Sequence, residues 1–303
     1  MDTFRSIEEV PSAPNGRAVA VGTFDGVHLG HRRVIESALA WGRANDARVC
    51  VVSFDPHPLE VLQPDDPPEL LTTAEVKAEL VAALGIDELL LIPFTRELSQ
   101  LDAEVFCDSV LVEALDARHV SVGENFRFGH GARGDAELLD SRPQFEATVV
   151  PLVQHDDLPI SSSRIRKLLM EGDVVAAAVL LGAPFRLQGT VVKGDERGRE
   201  LGVPTANVKP ADHLVVPGAG IYAGLALDKP AAISIGVRPT FEDDGELLVE
   251  AHLIDFDGNL YGSTLQIAFL ERLRDEARFD SADELIEQMH RDVERARKVA
   301  GRA

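Results

Sequence analysis

The chain has 303 residues, 45% of them hydrophobic, which suits about two ordinary domains with real cores and rules out a disordered acidic tail. Its 30 basic and 51 acidic side chains give a net charge of −21, a surface that repels nucleic acid unless one face is locally basic. A protein this acidic that handles polyphosphates must gather its few cations and backbone donors at the site. Cys50 and Cys107 lie far apart, outside any metal or redox spacing, and read as small core residues of a reducing compartment. The start, MDTFR, lacks a charged-then-apolar signal pattern, and the apolar run Val174 to Leu181 is far too short to span a bilayer. A cytoplasmic protein with no membrane partner and no nucleic-acid partner is expected; oligomeric state is left open.

The first half alternates strand and helix. Ala18 to Val21 reads as a strand, and a helix from about His31 to Asn45 puts Val34, Ile35, Ala38 and Leu39 on one face. Arg48 to Phe54 is the next strand. Thr72 and Glu75 have capping-box spacing ahead of a helix carrying Val76, Leu80, Val81 and Leu84. Strands follow at Glu88–Ile92, Arg118–Val122 and Ala147–Val150, with a helix from about Ala103 to Leu115. Repeated strand–helix–strand order predicts a parallel sheet covered on both faces, with ligands at the carboxyl ends of its strands.

After about Gly182 the pattern changes. Leu187–Lys193, Ile221–Leu227, Ala231–Ile235, Leu247–Asp255 and Leu265–Leu273 are strand-like, joined by Gly, Pro and Asp turns, which predicts an antiparallel barrel. The segment between Ile221 and Ile235 is short. A last helix starts at Ser281, with Glu284 at capping-box spacing, and turns Leu285, Ile286, Met289 and Val293 inward. The boundary falls near residues 182 to 186, giving domains 1–182 and 183–303.

Between the first strand and the first helix runs Gly22–His31, GTFDGVHLGH. An HxGH tetrapeptide alone also reads as two turn histidines. Here glycines permit close backbone approach, a helix start presents unpaired N–H groups, and both histidines can donate toward phosphate oxygens. The segment ISSSRIR, from Ile160 to Arg166, lies at another helix start, where serines alone would simply cap. The pair resembles the HIGH-type nucleotidylyltransferase superfamily. With SFDPHP (Ser53 to Pro58) and VGENFRFG (Val122 to Gly129), the order and spacing are similar to the adenylyltransferase half of prokaryotic FAD synthetases.

That resemblance implies a Rossmann-like nucleotidylyltransferase domain in which an anionic phosphate attacks the α-phosphorus of ATP, so the protein needs to position groups and neutralise charge. It implies ATP contacts from Gly22, Phe24, His28, Gly30, His31, Ser162, Ser163 and Arg164, with His28 and His31 catalytic. It also implies flavin contacts from Asn125, Phe126 and Phe128, although the two phenylalanines equally fit core aromatics at strand spacing. Asp55 and His57 also read as turn residues beside two prolines.

The second domain has no Walker A lysine motif. Gly194–Asn207, GDERGRELGVPTAN, would by itself be a glycine-rich hairpin loop, but it resembles the signature of riboflavin kinases. That family implies a small Greek-key barrel with the terminal helix, ATP contacts from Gly194, Gly198, Gly202 and Thr205, and Thr205 and Asn207 as oxygen ligands to ATP-bound Mg²⁺. The family places a glutamate on a strand after a PTF segment. Here Pro239–Phe241 precedes Glu250, so Glu250 matches the base that would deprotonate riboflavin's hydroxyl, against its plainer reading as a solvent-facing strand carboxylate. His252 shares its face by alternation and receives no role. Val203 departs from the usual Phe.

The resemblance as a whole implies a bifunctional enzyme: ATP and riboflavin give FMN, then ATP and FMN give FAD and pyrophosphate. An alternative keeps one half-reaction, with the other domain a flavin-binding or regulatory module. A different adenylyltransferase fused to a barrel is disfavoured by the PTAN segment with Glu250 downstream.

Overall fold

A computed structural model describes residues 1–194, 204–238 and 246–302. The chain forms two compact units, Met1–Pro68 with Ala74–Ser161, and Glu69–Thr73 with Ser162–Ala303.

The first unit is built on a six-stranded parallel sheet in the order β1-β4-β3-β2-β5-β6. Its strands are β1 (Asp2–Phe4), β2 (Arg17–Val21), β3 (Arg48–Asp55), β4 (Glu88–Pro93), β5 (Ala117–Gly123) and β6 (Glu146–Val150). The helices are α1 (Leu29–Ala44), α2 (Pro58–Leu62), α3 (Ala74–Ala82), α4 (Arg96–Ser99), α5 (Ala103–Phe106) and α6 (Ala136–Asp140). Alternation along each strand feeds two cores: Ala18 and Ala20 pack toward α1 and α3, while Val19, Val21 and Cys50 pack toward Phe106, Leu111 and Leu139. Both cysteines are buried, and burial pushes the Cys50 thiol up to about 12, so it is an inert core residue.

Three details depart from the expectations. Strand β1 is too short for any periodicity to reveal. The helix expected over Ala103–Leu115 is α-helical only to Phe106 and continues as a π-helix over Cys107–Ala114, where the Leu115 N–H bonds the Val110 carbonyl at 3.1 Å. Helix α1 starts at Leu29 rather than His31, which places His28 at its N-cap. A small hairpin, β7 (Gln154–His155) with β8 (Leu158–Pro159), closes this unit.

In the second unit, α7 (Ser162–Met170) and α8 (Val174–Leu181) precede a closed barrel. Its strands are β9 (Phe185–Val192), β10 (Ala206–Pro210), β11 (Gly220–Ala226), β12 (Lys229–Arg238), β13 (Glu246–Leu253) and β14 (Thr264–Arg274). All pairings are antiparallel, in the order β10-β13-β12-β11-β14-β9, with β9 closing on β10. Leu187, Val208, Tyr222, Ile233, Val249, Ile267 and Phe269 fill the interior. Strand β10 was not among the expected strands because its sequence reads as the tail of a glycine-rich loop. The short hairpin is a two-residue turn, Leu227 and Asp228, with φ of 51° and 56°, the left-handed pair that suits strand twist.

Helix α9 (Ala282–Ala300) starts at the expected cap, the Ser281 side chain accepting from the Glu284 N–H at 3.3 Å. Its core contacts centre further along than expected, on Val293, Ala296 and Val299, and a buried Asp292 takes a two-pronged ion pair from Arg274 at 2.7 and 3.0 Å. Among the described residues no helix is long and apolar enough to cross a membrane.

Candidate active sites

Strand β2 sits between β3 and β5, so the chain leaving β2 and the chain leaving β5 diverge from neighbouring strand ends. In an open parallel sheet such a switch point opens a ligand crevice at the carboxyl edge. The segments there are Gly22–His28 and Glu124–Phe128, the two motifs that the sequence singled out.

The first of these loops is strained. Phe24 and Val27 hold φ of 47° and 42°, a region that side chains avoid and a β-branched valine most of all, at a cost of about 1–3 kcal/mol each. The turn is closed by the Val27 N–H on the Phe24 carbonyl at 3.1 Å, and Arg32 Nε donates to the Val27 carbonyl at 3.1 Å. The Phe24 ring is buried beneath Gly22, where an added Cβ would lie 3.0 Å from it, and it meets the His31 ring edge-on at 5.4 Å. Any contact of Phe24 with a ligand is therefore through its backbone.

His28 and His31 come together as a stacked pair, centroids 3.5 Å apart and 17° from parallel. The His28 Nδ1 accepts from the His31 N–H at 3.2 Å, which puts the proton of its neutral ring on Nε2, a donor. Gly30 makes room for this, because a Cβ there would stand 3.0 Å from His28 Cε1. Burial pushes His28 down to about 4. Burial, then His28, then Lys77 hold His31 well below the usual histidine range. The pair is neutral at pH 7. As neutral rings they can act as hydrogen-bond donors rather than as cations, since two stacked imidazoliums would repel.

Near this edge lies a cation that sequence reading missed. Lys77 of α3 is 6% exposed, and its Nζ donates to the Thr23 carbonyl at 2.8 Å and to Ser53 Oγ at 3.2 Å. The available signal was a lysine flanked by Val76 and Val81 on the buried face of a helix. In SFDPHP, Ser53 is fully buried and donates to the Thr23 carbonyl at 2.9 Å. Asp55 pairs with Arg5 at 3.2 Å, and His57 caps α2, its Nδ1 accepting from the Leu59 N–H at 3.2 Å.

After β5, Asn125 is exposed and Phe126 half-buried, while Phe128 is 9% exposed and stacks on Phe126 with centroids 5.3 Å apart. Phe128 also packs against Phe106 in the core, so Phe126 is the more accessible of the two rings. Ser162, Ser163 and Arg164 open α7, in the second compact unit, with Ser162 and Arg164 half-buried and Ser163 exposed.

In the barrel, register brings the expected residues side by side. Asn207 of β10 stands directly opposite Glu250 of β13, which in turn faces Ser234 of β12. Directly paired residues have Cβ atoms about 4.5–5.5 Å apart. Val208 and Val249 point into the barrel, so Asn207 and Glu250 lie on its outer face, both half-buried. Thr205 is half-buried two residues before Asn207. At Gly194 an added Cβ would run into the Asn207 amide, so this glycine keeps that amide in place. His252 holds the next residue along: its Nδ1–H donates to the Pro204 carbonyl at 2.7 Å, immediately before Thr205. Gly198, Gly202, Val203 and the PTF segment lie outside the described residues.

These two constellations coincide with two family matches, FAD synthetase over residues 10–164 and riboflavin kinase over residues 181–300. The chain belongs to the bifunctional riboflavin kinase/FMN adenylyltransferase family. It is 37% identical over 310 residues to the enzyme of that name from Escherichia coli (strain K12), covering 99% of this chain and 98% of the relative. Against the Bacillus subtilis (strain 168) relative of the same name it is 35% identical over 287 residues, 92% of this chain and 90% of the other. A crystal structure described as a macrolide-efflux protein from Streptococcus pneumoniae superposes with a TM-score of 0.86 at 31% identity, over 97% of this chain and 98% of that one. That likeness is one of fold.

Proposed function

We infer that this chain carries out both reactions of its family, phosphorylating riboflavin to FMN with ATP and then adenylylating FMN to FAD with release of pyrophosphate. The observation that carries the reading is the presence, in one chain, of a neutral histidine pair at a parallel-sheet switch point and a paired Asn207–Glu250 site on a closed barrel. Residues 1–182 are taken as the adenylyltransferase domain and 183–303 as the kinase domain. The family matches ending at residue 164 and starting at residue 181 support that division.

In adenylyl transfer the nucleophile is already an anionic phosphate, so no side chain needs to be deprotonated. His28 and His31 donate to ATP phosphate oxygens, and the first amides of α1, with Gly22 and Gly30 allowing close approach, complete an anion cradle. Phe24 adds its backbone; Ser162, Ser163 and Arg164 are assigned to ATP by their match to the family's serine–basic segment. Asn125 and Phe126 hold the flavin, with Phe128 backing Phe126.

Riboflavin's hydroxyl is a poor nucleophile at neutral pH, and Glu250 is placed as the base that takes its proton. The oxygens of Thr205 and Asn207 are hard donors of the kind that suit Mg²⁺, and the amide of Asn207 is held by a cradle at Gly194 that a Cβ would fill. Bound there with ATP, Mg²⁺ would offset phosphate charge. Gly194, Gly198 and Gly202 are assigned to the ATP loop. The substrates are small molecules, the acidic surface disfavours nucleic acid, and the cytoplasm is the proposed location.

The test incubates the purified protein with riboflavin, ATP and Mg²⁺, resolves FMN from FAD, and repeats the assay starting from FMN. Both products from riboflavin, and FAD from FMN, are expected. FMN without FAD, or no product from riboflavin but FAD from FMN, would reduce the chain to one half-reaction.

A further inference from the structure

Position 77 is a buried lysine on the packed face of α3. A methionine of similar length would fill the same space, and a buried ammonium gives up much of its hydration. What the ammonium does make is a closed triangle of hydrogen bonds at the carboxyl ends of β2 and β3. Lys77 Nζ donates to the Thr23 carbonyl and to Ser53 Oγ, and Ser53 Oγ donates to that same carbonyl. Thr23 is the residue before Phe24, where the strained loop enters its left-handed turn. A backbone held in such a conformation persists only where its surroundings over-determine it. The triangle supplies that constraint at the start of the loop, as the Arg32 bond to the Val27 carbonyl does at its end.

We propose that Lys77 is a positioning residue for adenylyl transfer, fixing the Thr23 carbonyl against Ser53 so that the Gly22–His28 loop aims the His28 and His31 rings at the phosphates. The proposal rests on the reading of that loop as the ATP phosphate site. Its electrostatic setting agrees. The carboxylates that act on Lys77 are Asp25 in the loop, Asp55 at the end of β3 and Glu60 of α2, and the histidines of the site are His28 and His31. Burial lowers Lys77 while the three carboxylates hold it up, and Lys77 in turn helps keep His31 neutral. Lys77 is thus a buried lysine held among three carboxylates beside the loop.

The experiment compares Lys77→Met and Lys77→Arg with the wild type in the full-length chain. For Lys77→Met, kcat/KM for ATP in FAD formation from FMN should fall about 10- to 100-fold, the scale of a small misplacement near the reacting groups. Riboflavin phosphorylation, in the other domain, should be unchanged. The His31 imidazole, followed by NMR, should titrate at higher pH in Lys77→Met because a like charge is gone, while burial and His28 still hold it down. Lys77→Arg, which keeps charge and donors, should recover part of the loss and leave the His31 midpoint near wild type. A folded Lys77→Met that makes FAD at the wild-type rate overturns the proposal, as does Lys77→Arg behaving no better than Lys77→Met. Should Lys77→Met fail to fold, Ser53→Ala removes one side of the triangle alone; it should raise the KM for ATP in FAD formation, and an unchanged KM overturns the proposal. If the wild type itself makes no FAD from FMN, the reading of the site has failed instead.

Discussion

The buried histidine pair should make the first unit acid-labile in a way that one substitution removes. His28 titrates near 4 in the folded protein against an ordinary value of 6.5. Because the folded value is depressed, the unfolded chain takes up the proton first. Stability is intact above the ordinary value, falls as pH drops through the window from 6.5 to about 4, and levels off below it. At about 1.4 kcal/mol per pH unit, that window amounts to about 3 kcal/mol from His28 alone, a large fraction of a domain's stability. His28→Asn keeps a good N-cap acceptor for the His31 N–H but cannot titrate. The variant should therefore lose about 3 kcal/mol less than the wild type between pH 7.5 and pH 4. The chain's single tryptophan, Trp41, lies on α1 and reports on this unit by fluorescence in urea. It stacks on His119, whose own lowered titration is common to both proteins and cancels in the difference. His31 also remains in both, and losing His28 relieves it, which adds to the contrast in the same direction. Parallel pH profiles of the urea midpoint in wild type and variant would refute the reasoning.

His31→Ala should lower FAD formation from FMN by about 10²-fold or more, the cost of losing one transition-state donor, while FMN formation from riboflavin persists; equal loss of both activities in a folded variant would count against the site. Glu250→Gln keeps the volume and the hydrogen-bonding reach but cannot accept a proton. It should slow riboflavin phosphorylation about 10²- to 10⁴-fold in kcat rather than KM, with FAD formation from supplied FMN untouched. A near-wild-type kinase rate would show that Glu250 is not the base. Thr205→Val combined with Asn207→Leu removes both oxygen ligands and should abolish FMN synthesis but not the conversion of supplied FMN to FAD; kinase activity surviving at limiting Mg²⁺ would exclude the assignment.

What the sequence made legible and what it hid divide along the range of the interactions. The strands of the parallel sheet are continuous apolar runs, and Val19, Val21 and Cys50 read as buried because few other structures hide both faces of such a run. The motifs were legible because glycines, a strand end and a helix start fall within ten residues of each other, from Gly22 to His31. Pairing register is not local. That Glu250 faces Asn207 rather than a neighbour follows from barrel closure, and without the family resemblance Glu250 is one more strand carboxylate. Strand β10 was hidden for the same reason, since only its partners β9 and β13 make a strand of it. Protonation was hidden too. Nothing in HLGH states that its two rings stack at 3.5 Å and stay neutral, because that depends on burial by Phe24 and on the cation across the loop. Composition raised the expectation that a chain with a net charge of −21, if it handles polyphosphates, gathers its few cations and backbone donors at the site. It could not say which. An arginine on the surface would be screened by the surrounding carboxylates and by salt, whereas a lysine buried at the sheet edge acts at short range in a less polarisable medium. Lys77, bonded to the Thr23 carbonyl and to Ser53 Oγ, is such a lysine, and it comes from a helix whose sequence reads as plain packing.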